Sequence, residues 1–416
     1  MHWLARRFSE PSRSVTTSST SQISAASPHD ILIAGGGIGG VVAALCLAQR
    51  GHRVQVFERG ATFGEAGAGI QLSPNASRVL HALGLEAALK PFAFLPEAAI
   101  VRRWNTGACI ARTPLGAQAQ AKYGAPYYHI HRGDFLRVLV DVARSHKTIT
   151  LHENANVTAF TQNPEGVSLD VSGKTHHGDA LIGADGIHST IRSSLWGADT
   201  PRFTGNVAWR AMVPTAQLPD GLIAPTATVW WGPRKHFVHY YVRGGTYVNC
   251  VCVVEQTGWQ TETWTSPGTR AELKAAFAGW HNDIQALIDQ AEDDALFKWA
   301  LHDRAPYAHW GRDRVTLLGD SCHPMLPFMA QGAAMAIEDG AVLATCLSRG
   351  ASITQALQDY EVLRSSRTAY IQTRARRNAD IFHMTGIKAW MRDRFAQRAG
   401  QNAMDAIYSY DALTAE

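Results

Sequence analysis

The sequence predicts an α/β protein: a glycine-rich strand–turn–helix unit feeding a parallel sheet, an inserted antiparallel-sheet domain, and C-terminal helices. Three observations lead there. Ile31-Leu32-Ile33-Ala34 is an apolar run that ends in Gly35-Gly36-Gly37-Ile38-Gly39-Gly40 and continues as an Ala-, Val- and Leu-rich stretch to Gln49. From Val207 to Val254 the texture changes to alternating, aromatic-rich runs, the pattern of half-buried strands. Beyond Ala351 the pattern is mostly helical.

Taken in order, residues 1–29 are rich in Ser and Thr, carry Arg6, Arg7 and Arg13, and read as a disordered leader without chemistry. The fold starts at Asp30. Ile31–Ala34 is a buried strand, Ile38–Gln49 a helix closed by Gly51, and Val54–Glu58 a second strand, which together make a βαβ crossover of the usual length. Leu136–Ser145 is expected as a helix, Val167–Val171 as a strand, and Leu181–Asp185 as a buried strand running into a turn. Trp209–Val213, Ala227–Trp231, His236–Val242 and Tyr247–Val254 form the antiparallel sheet, and Arg270–Gln290 turns helical. Arg314–Leu318 is a strand leading into Gly319-Asp320, and Gly332–Leu347 is a helix. Arg374, Arg376 and Arg377 are expected on a solvated face.

Composition narrows the classes. A chain of 416 residues with 46% hydrophobic and 18% charged residues can bury a core of two domains or one large α/β body. The formal net charge of +4 is too small for a dedicated nucleic-acid binder. Six scattered cysteines form no CxxC pair, so reduced thiols and a cytoplasmic setting are expected. The 18 histidines show no HExxH spacing, and no metal is expected. Ile31–Ala48 is uncharged and of membrane-spanning length, but its central glycines make it strand, turn and helix, so no membrane partner is expected.

Gly35, Gly37 and Gly40 have the G-x-G-x-x-G spacing. The first permits a tight turn, the second lets a pyrophosphate approach the backbone, and the third lets helix and strand pack closely. The helix start then offers free N–H groups and its positive dipole end to the phosphates. Glu58, at the end of the next strand, can accept hydrogen bonds from both ribose hydroxyls of an adenosine. A dinucleotide is expected here. Two more segments follow buried strands: Gly183-Ala184-Asp185-Gly186, and Leu318-Gly319-Asp320 with Gln331-Gly332-Ala333 after it. A nicotinamide dehydrogenase has no use for so distant a second site, whereas a flavin extends well past its pyrophosphate.

With these three motifs in order from Asp30 to about Arg377, the sequence resembles the FAD-dependent aromatic hydroxylases, the single-component flavoprotein monooxygenases of the 4-hydroxybenzoate hydroxylase type. Gly67-Ala68-Gly69-Ile70-Gln71-Leu72-Ser73-Pro74-Asn75 and Asn206-Val207-Ala208-Trp209-Arg210 are similar to the branch holding salicylate hydroxylase, 3-hydroxybenzoate 6-hydroxylase and 6-hydroxynicotinate 3-monooxygenase. The resemblance implies a Rossmann-type FAD-binding domain of the glutathione-reductase kind, with an inserted antiparallel-sheet substrate domain and C-terminal helices. The expected division is 30–105 and 106–200 for the FAD-binding part with excursions into the substrate domain, 201–300 for the substrate domain, 301–350 for the returning FAD-binding part, and 351–416 for the final helices.

The resemblance also implies roles. Glu58 would bind the adenosine ribose, with Arg59 and Gln71 in the same cofactor set. Arg132, in His131-Arg132-Gly133-Asp134-Phe135, would reach the ribityl-phosphate region, and Val157 would meet the adenine through its backbone. Asp185 would shape the turn shared with the incoming nicotinamide, Asp320 would bind the ribityl hydroxyls, and the Gly332-Ala333 helix start would face the flavin pyrimidine edge, where reduced flavin carries negative charge. Without a second G-x-G-x-x-G unit, NADH or NADPH is expected as a transient co-substrate. His236 and Tyr240, four apart on one strand, share a face; in the relatives a His and a Tyr at this spacing contact the ring substrate, His236 taking a phenolic proton and Tyr240 donating a hydrogen bond. The implied activity is NAD(P)H- and O2-dependent hydroxylation of a small aromatic carboxylate through a C4a-hydroperoxyflavin, by a monomer or homodimer. A flavin epoxidase or tailoring hydroxylase of a bulkier substrate, and a non-catalytic flavin redox sensor, are the rival readings. Two positions depart from the hydroxynicotinate enzymes: Gln71 stands where they have a His, and Ala227 where they have a Cys. Cys322 and His323, adjacent on a turn, are not expected to act as a nucleophilic pair.

Overall fold

The computed structural model describes residues 27–64, 68–256, 258, 266–400 and 404–415; residues 1–26 of the expected leader and Gly67 lie outside the described residues. Ile31, Leu32, Ile33 and Ala34 are sealed on both faces, as a central parallel strand must be. Asp30–Ala34 is the middle of a five-stranded parallel sheet, in the order Val315–Leu317, Ala180–Gly183, Asp30–Ala34, Arg53–Phe57, Ile149–His152. The helix Ile38–Gln49 buries ten of its twelve residues between this sheet and the helix Gly332–Leu347. The two helices cross closely because Gly340 has no side chain; a Cβ there would stand 3.0 Å from the Ala43 backbone. Thus the uncharged stretch Ile31–Ala48 is strand, turn and helix, and no described helix is long and apolar enough to cross a membrane.

A second, seven-stranded sheet runs in the order Phe297–Asp303, Arg202–Pro214, Tyr247–Glu255, Lys235–Val242, Thr226–Gly232, Ala98–Arg103, Cys109–Pro114. The sequence reading expects an antiparallel sheet over 201–300, with excursions into the substrate domain from 106–200. The structure adds two strands from before residue 115, and Ala98–Arg103 lies parallel to Thr226–Gly232, so the sheet is mixed. One face carries Trp209, Trp230 and Phe237, which with Phe277, Trp280 and Ile284 of the helical segment form a separate apolar core. That core is roofed by two helices, Arg270–Ala276 and Asn282–Asp289. The helical stretch expected over Arg270–Gln290 is two helices: the first closes at Phe277, and Gly279, with φ of +78°, lies in the turn before His281 caps the second. The other face looks toward the parallel-sheet part.

The long helix Ile353–Phe382 follows. Of the three arginines expected on a solvated face only Arg377 is exposed. Arg376 reaches inward to the buried Asp303 carboxylate, and Arg374 is half-buried against the Tyr370 hydroxyl. The charge of Asp303, sunk in the sheet, needs a partner, and the helix supplies it.

Candidate active site

At the carboxyl ends of the parallel strands the chain opens into a crevice, the place where such sheets bind ligands. Gly35, Gly37 and Gly39, then Ala184 to Ile187, then Asp320, Gly332 and Ala333 all remain partly accessible, although the strands leading to them are closed. Glycine is required at the turn: Gly35 has φ +108°, its Cβ would lie 2.3 Å from the Ala184 carbonyl oxygen, and a Cβ on Gly40 would lie 2.0 Å from that of Gly35. The Glu58 carboxylate accepts the N–H groups of Gly36 (2.9 Å) and Gly60 (2.7 Å), which fixes it beside the turn while leaving lone pairs for further donors. Arg59 is exposed next to it. The Ala155 N–H donates to the Glu58 carbonyl at 2.8 Å, which brings the Val157 segment alongside.

The two downstream turns are tied together. Asp185 accepts from the N–H groups of Thr190 (2.7 Å) and Ile191 (3.2 Å) and from the Ser321 hydroxyl (3.2 Å), and the Gly186 N–H donates to the same hydroxyl at 3.0 Å. Asp185 therefore builds the turn rather than pointing at a ligand on its own. Asp320 sits on the crevice wall; burial raises its carboxyl, with Arg132 and His323 opposing the rise. Arg132 is shifted down by burial, with Asp320 opposing the shift. Neither the helix at Ile38 nor that at Gly332 has a side-chain cap, so their first-turn N–H groups are left for an acceptor in the crevice. The Gly332 end is held by Gln331, which donates to the Ser73 hydroxyl at 2.9 Å and accepts from Asn75 at 3.2 Å. The glycine turn, the acidic strand end, the capless helix starts and an accessible Asp320 are the kind of lining that FAD requires.

Below the crevice lies a buried ionic cluster that sequence reading did not anticipate. Asp339 accepts from His323 (2.6 Å), Arg364 (2.7 Å) and the Gly319 N–H (3.1 Å); Glu338 accepts from Arg364 (2.6 Å), Arg367 (2.7 Å) and Asn75 (2.6 Å). Cys322, His323 and Asp339 place ligand-type atoms within 4.8 Å of one another, but Asp339 is already used by protein donors. Burial pushes the Cys322 thiol well up, which disfavours its thiolate.

His236, Val238 and Tyr240 share the sheet face that looks toward this crevice, with Trp231 paired beside His236 and Ala227 packed in one buried cluster with Tyr240. Val238 and its partner Val229 stay half-buried between sealed neighbours. Burial holds His236 well below the ordinary histidine range, and raises Tyr240 above the ordinary phenol range, so at neutral pH they are a neutral imidazole and a protonated phenol. The Tyr240 ring lies 4.6 Å from that of His129, whose titration burial pushes down to about 3. Gln71, expected at the cofactor, is placed among the tyrosines: the Tyr127 hydroxyl donates to it at 2.7 Å, and it also reaches Tyr240. Gly69 makes this contact possible, since a Cβ would stand 2.7 Å from the Tyr240 ring. On the same face Arg210 lies 4.6 Å over the Trp299 ring, its basicity lowered to about 10 by burial and by Arg132. Sequence reading quoted Arg210 without a role. It missed His383, whose Nε2 lies 2.8 Å from His236 Nδ1 across 147 residues, a separation no local pattern reveals.

Residues 29–375 match the family model for the FAD binding domain. The chain is 40% identical over 369 residues to 3-amino-4-hydroxybenzoate 2-monooxygenase PtnB3 of Streptomyces platensis, covering 88% of this chain and 91% of that one. It is 38% identical over 355 residues to 6-hydroxynicotinate 3-monooxygenase of Pseudomonas fluorescens, covering 82% and 89%. The structure is similar to that of Klebsiella pneumoniae HpxO complexed with FAD and uric acid, with a TM-score of 0.81, 26% identity, and 93% and 97% of the two chains covered. The glycine turn and these likenesses agree: the chain belongs to the FAD-binding aromatic hydroxylases and is an FAD-dependent aromatic monooxygenase.

Proposed function

We propose that the enzyme hydroxylates a small aromatic carboxylate bearing a ring hydroxyl, of the hydroxybenzoate or salicylate kind, with NADH or NADPH as a transient hydride donor. The observation that carries this reading is the constellation on one sheet face: neutral His236 and protonated Tyr240 at a four-residue spacing, with buried Arg210 on a neighbouring strand. The relatives act on aromatic rings that bear both a hydroxyl and a carboxylate, which supports the same class here. Bound FAD, once reduced, supplies the electrons that activate O2 for insertion of one oxygen atom.

The chain's own residues do the rest. His236 has Nδ1 engaged by His383, which leaves Nε2 to accept the phenolic proton; the resulting phenolate is the more electron-rich ring. Tyr240, kept protonated by burial, donates to a substrate oxygen. Arg210 and Arg132 make the site cationic and favour an anion. Trp231, Phe328 and Phe382 pack around His236 and keep its surroundings dry. The test is NADH and NADPH oxidation by the yellow holoenzyme with and without salicylate, 3-hydroxybenzoate and 6-hydroxynicotinate, followed by product analysis. Stimulation with a stoichiometric hydroxylated product supports the reading. Peroxide alone marks the compound as a mimic, and silence across the panel favours a bulkier substrate.

A further inference from the structure

We propose that His383 and Glu255 are positioning residues that form, with His236, a proton relay from the buried substrate site to solvent. The inference rests on the reading of His236 given above and extends it to two residues from distant parts of the chain. His236 Nδ1 lies 2.8 Å from His383 Nε2, and His383 Nδ1 lies 3.0 Å from Glu255 Oε1. Both imidazoles are buried, with His236 2% and His383 5% exposed, whereas the Glu255 side chain is 35% exposed and its Oε2 accepts from Arg234 Nε at 3.0 Å. The chain of contacts thus begins in the sealed site and ends at the surface.

Its direction follows from donor chemistry. A carboxylate only accepts, so His383 Nδ1 carries the proton that bonds Glu255. His383 Nε2 is then the bare nitrogen, so His236 Nδ1 must be the donor to it, and His236 Nε2 is left bare. That is the tautomer a phenolic O–H requires of its base. When the substrate O–H bond breaks, an N–H bond forms at His236 Nε2. The Nδ1 proton moves to His383 Nε2, and the His383 Nδ1 proton moves to Glu255, which exchanges it with water. Reprotonation of the product phenolate by the reverse path restores the starting tautomers. No oxidant or reductant is consumed.

The scaffold holds the three groups in line. The Arg234 N–H donates to the His383 carbonyl at 3.1 Å and the Glu255 N–H to the Arg234 carbonyl at 3.0 Å, so the Lys235 strand start, the Glu255 strand end and the end of the long helix meet at one point. Phe328 and Phe382 pack edge-to-face on His236 with ring centroids 5.0 and 5.3 Å away and offer no competing acceptor. The charges that face His383 are Glu255 and Asp380, which favour its protonation, and Arg392, which with burial opposes it. The balance keeps both imidazoles neutral at rest, as a relay needs.

The experiment uses the FAD-loaded enzyme, wild type and the variants Glu255→Gln, His383→Gln and His236→Ala. Nitrogen-15 NMR of the histidines in the holoenzyme, with no substrate present, should show both imidazoles neutral and protonated at Nδ1. An Nε2-protonated His236 overturns the relay. With 3-hydroxybenzoate, salicylate and 6-hydroxynicotinate tested in turn, His383→Gln and Glu255→Gln should retain FAD while coupled hydroxylation falls on the order of tenfold, below the hundredfold or more of a lost base. The acid limb of the kcat/KM profile should move in both. If His236→Ala abolishes hydroxylation but the other two variants keep the wild-type rate and pH profile, the relay is wrong and the base stands. If His236→Ala leaves turnover intact, the underlying reading fails and the relay with it.

Discussion

Arg364 is fully buried, and replacing it with methionine tests the claim that the cluster beneath the crevice holds the site together. Four hydrogen bonds are lost: to Asp339 (2.7 Å), to Glu338 (2.6 Å), and to the Met335 carbonyl (3.3 Å) and sulfur (3.7 Å). Breaking a buried pair by removing one partner costs roughly 3–5 kcal/mol, since the charge left behind has neither water nor a counter-ion. Here Glu338 keeps Arg367 and Asn75, and Asp339 keeps His323 and the Gly319 N–H, which places the expected loss at the low end, about 3 kcal/mol. Urea unfolding of the holoenzyme should show a lower midpoint at unchanged slope, and Arg364→Lys should fall between. The pH dependence has a definite sign. Burial alone would raise the Asp339 carboxyl, but His323 and Arg364 outweigh it and hold it below the usual carboxylate range. Its contribution is therefore complete above the ordinary carboxylate pKa and is lost as pH falls through the lowered value, so the variant should begin to unfold at a higher pH than wild type. A midpoint shift worth less than about 1 kcal/mol would refute the reasoning, because a surface-like ion pair is worth no more than that.

Other substitutions probe the cofactor and the base. Gly40→Ala places a methyl 2.0 Å from a backbone oxygen, and the purified protein should lose most of its flavin absorbance. Glu58→Arg removes the acceptor of the Gly36 and Gly60 N–H groups and sets a cation where ribose hydroxyls are expected; a normal flavin content would overturn the placement of the adenosine end. His236→Ala should keep FAD yet lose coupled hydroxylation by on the order of a hundredfold, with peroxide released instead. Since burial holds His236 well below its ordinary range, wild-type turnover should stay level from neutral pH through the normal histidine region and decline only in more acid solution; a decline centred on the ordinary histidine value would show that another group sets the limb.

The glycine turn was legible because its spacing, the preceding apolar strand and the acidic strand end all sit within thirty residues of one another, where local sterics dictate the answer. The strands Lys235–Val242 and Tyr247–Glu255 were legible for the same reason, as alternation is a local signal. Ala98–Arg103 was not, because AAIVRR has no alternation and its pairing partner begins at Thr226. The turn at Gly279 was hidden inside a helical composition, and Arg376 looked solvated because nothing near it in sequence announces the buried Asp303. Sequence placed His236 and Tyr240 on one face, but His383 and Glu255, 128 positions apart, meet only after the chain has folded. Gln71 is expected in the cofactor set from its motif, while its contacts with Tyr127 and Tyr240 come from segments far along the chain that no local pattern announces.

The parallel pairing of Ala98–Arg103 with Thr226–Gly232 has a consequence for biogenesis. As the polypeptide leaves the ribosome, the early strand has no inner neighbour until well over a hundred further residues have been made, and Asp30–Ala34 likewise waits for Ala180–Gly183. The outermost parallel strand, Val315–Leu317, arrives later still. Neither sheet can be completed from one contiguous stretch, so neither can be cut out as a self-sufficient piece. The nascent molecule must keep unsatisfied strand edges shielded for most of its synthesis, and assembly is slow and all-or-none because its decisive contacts are so distant along the chain.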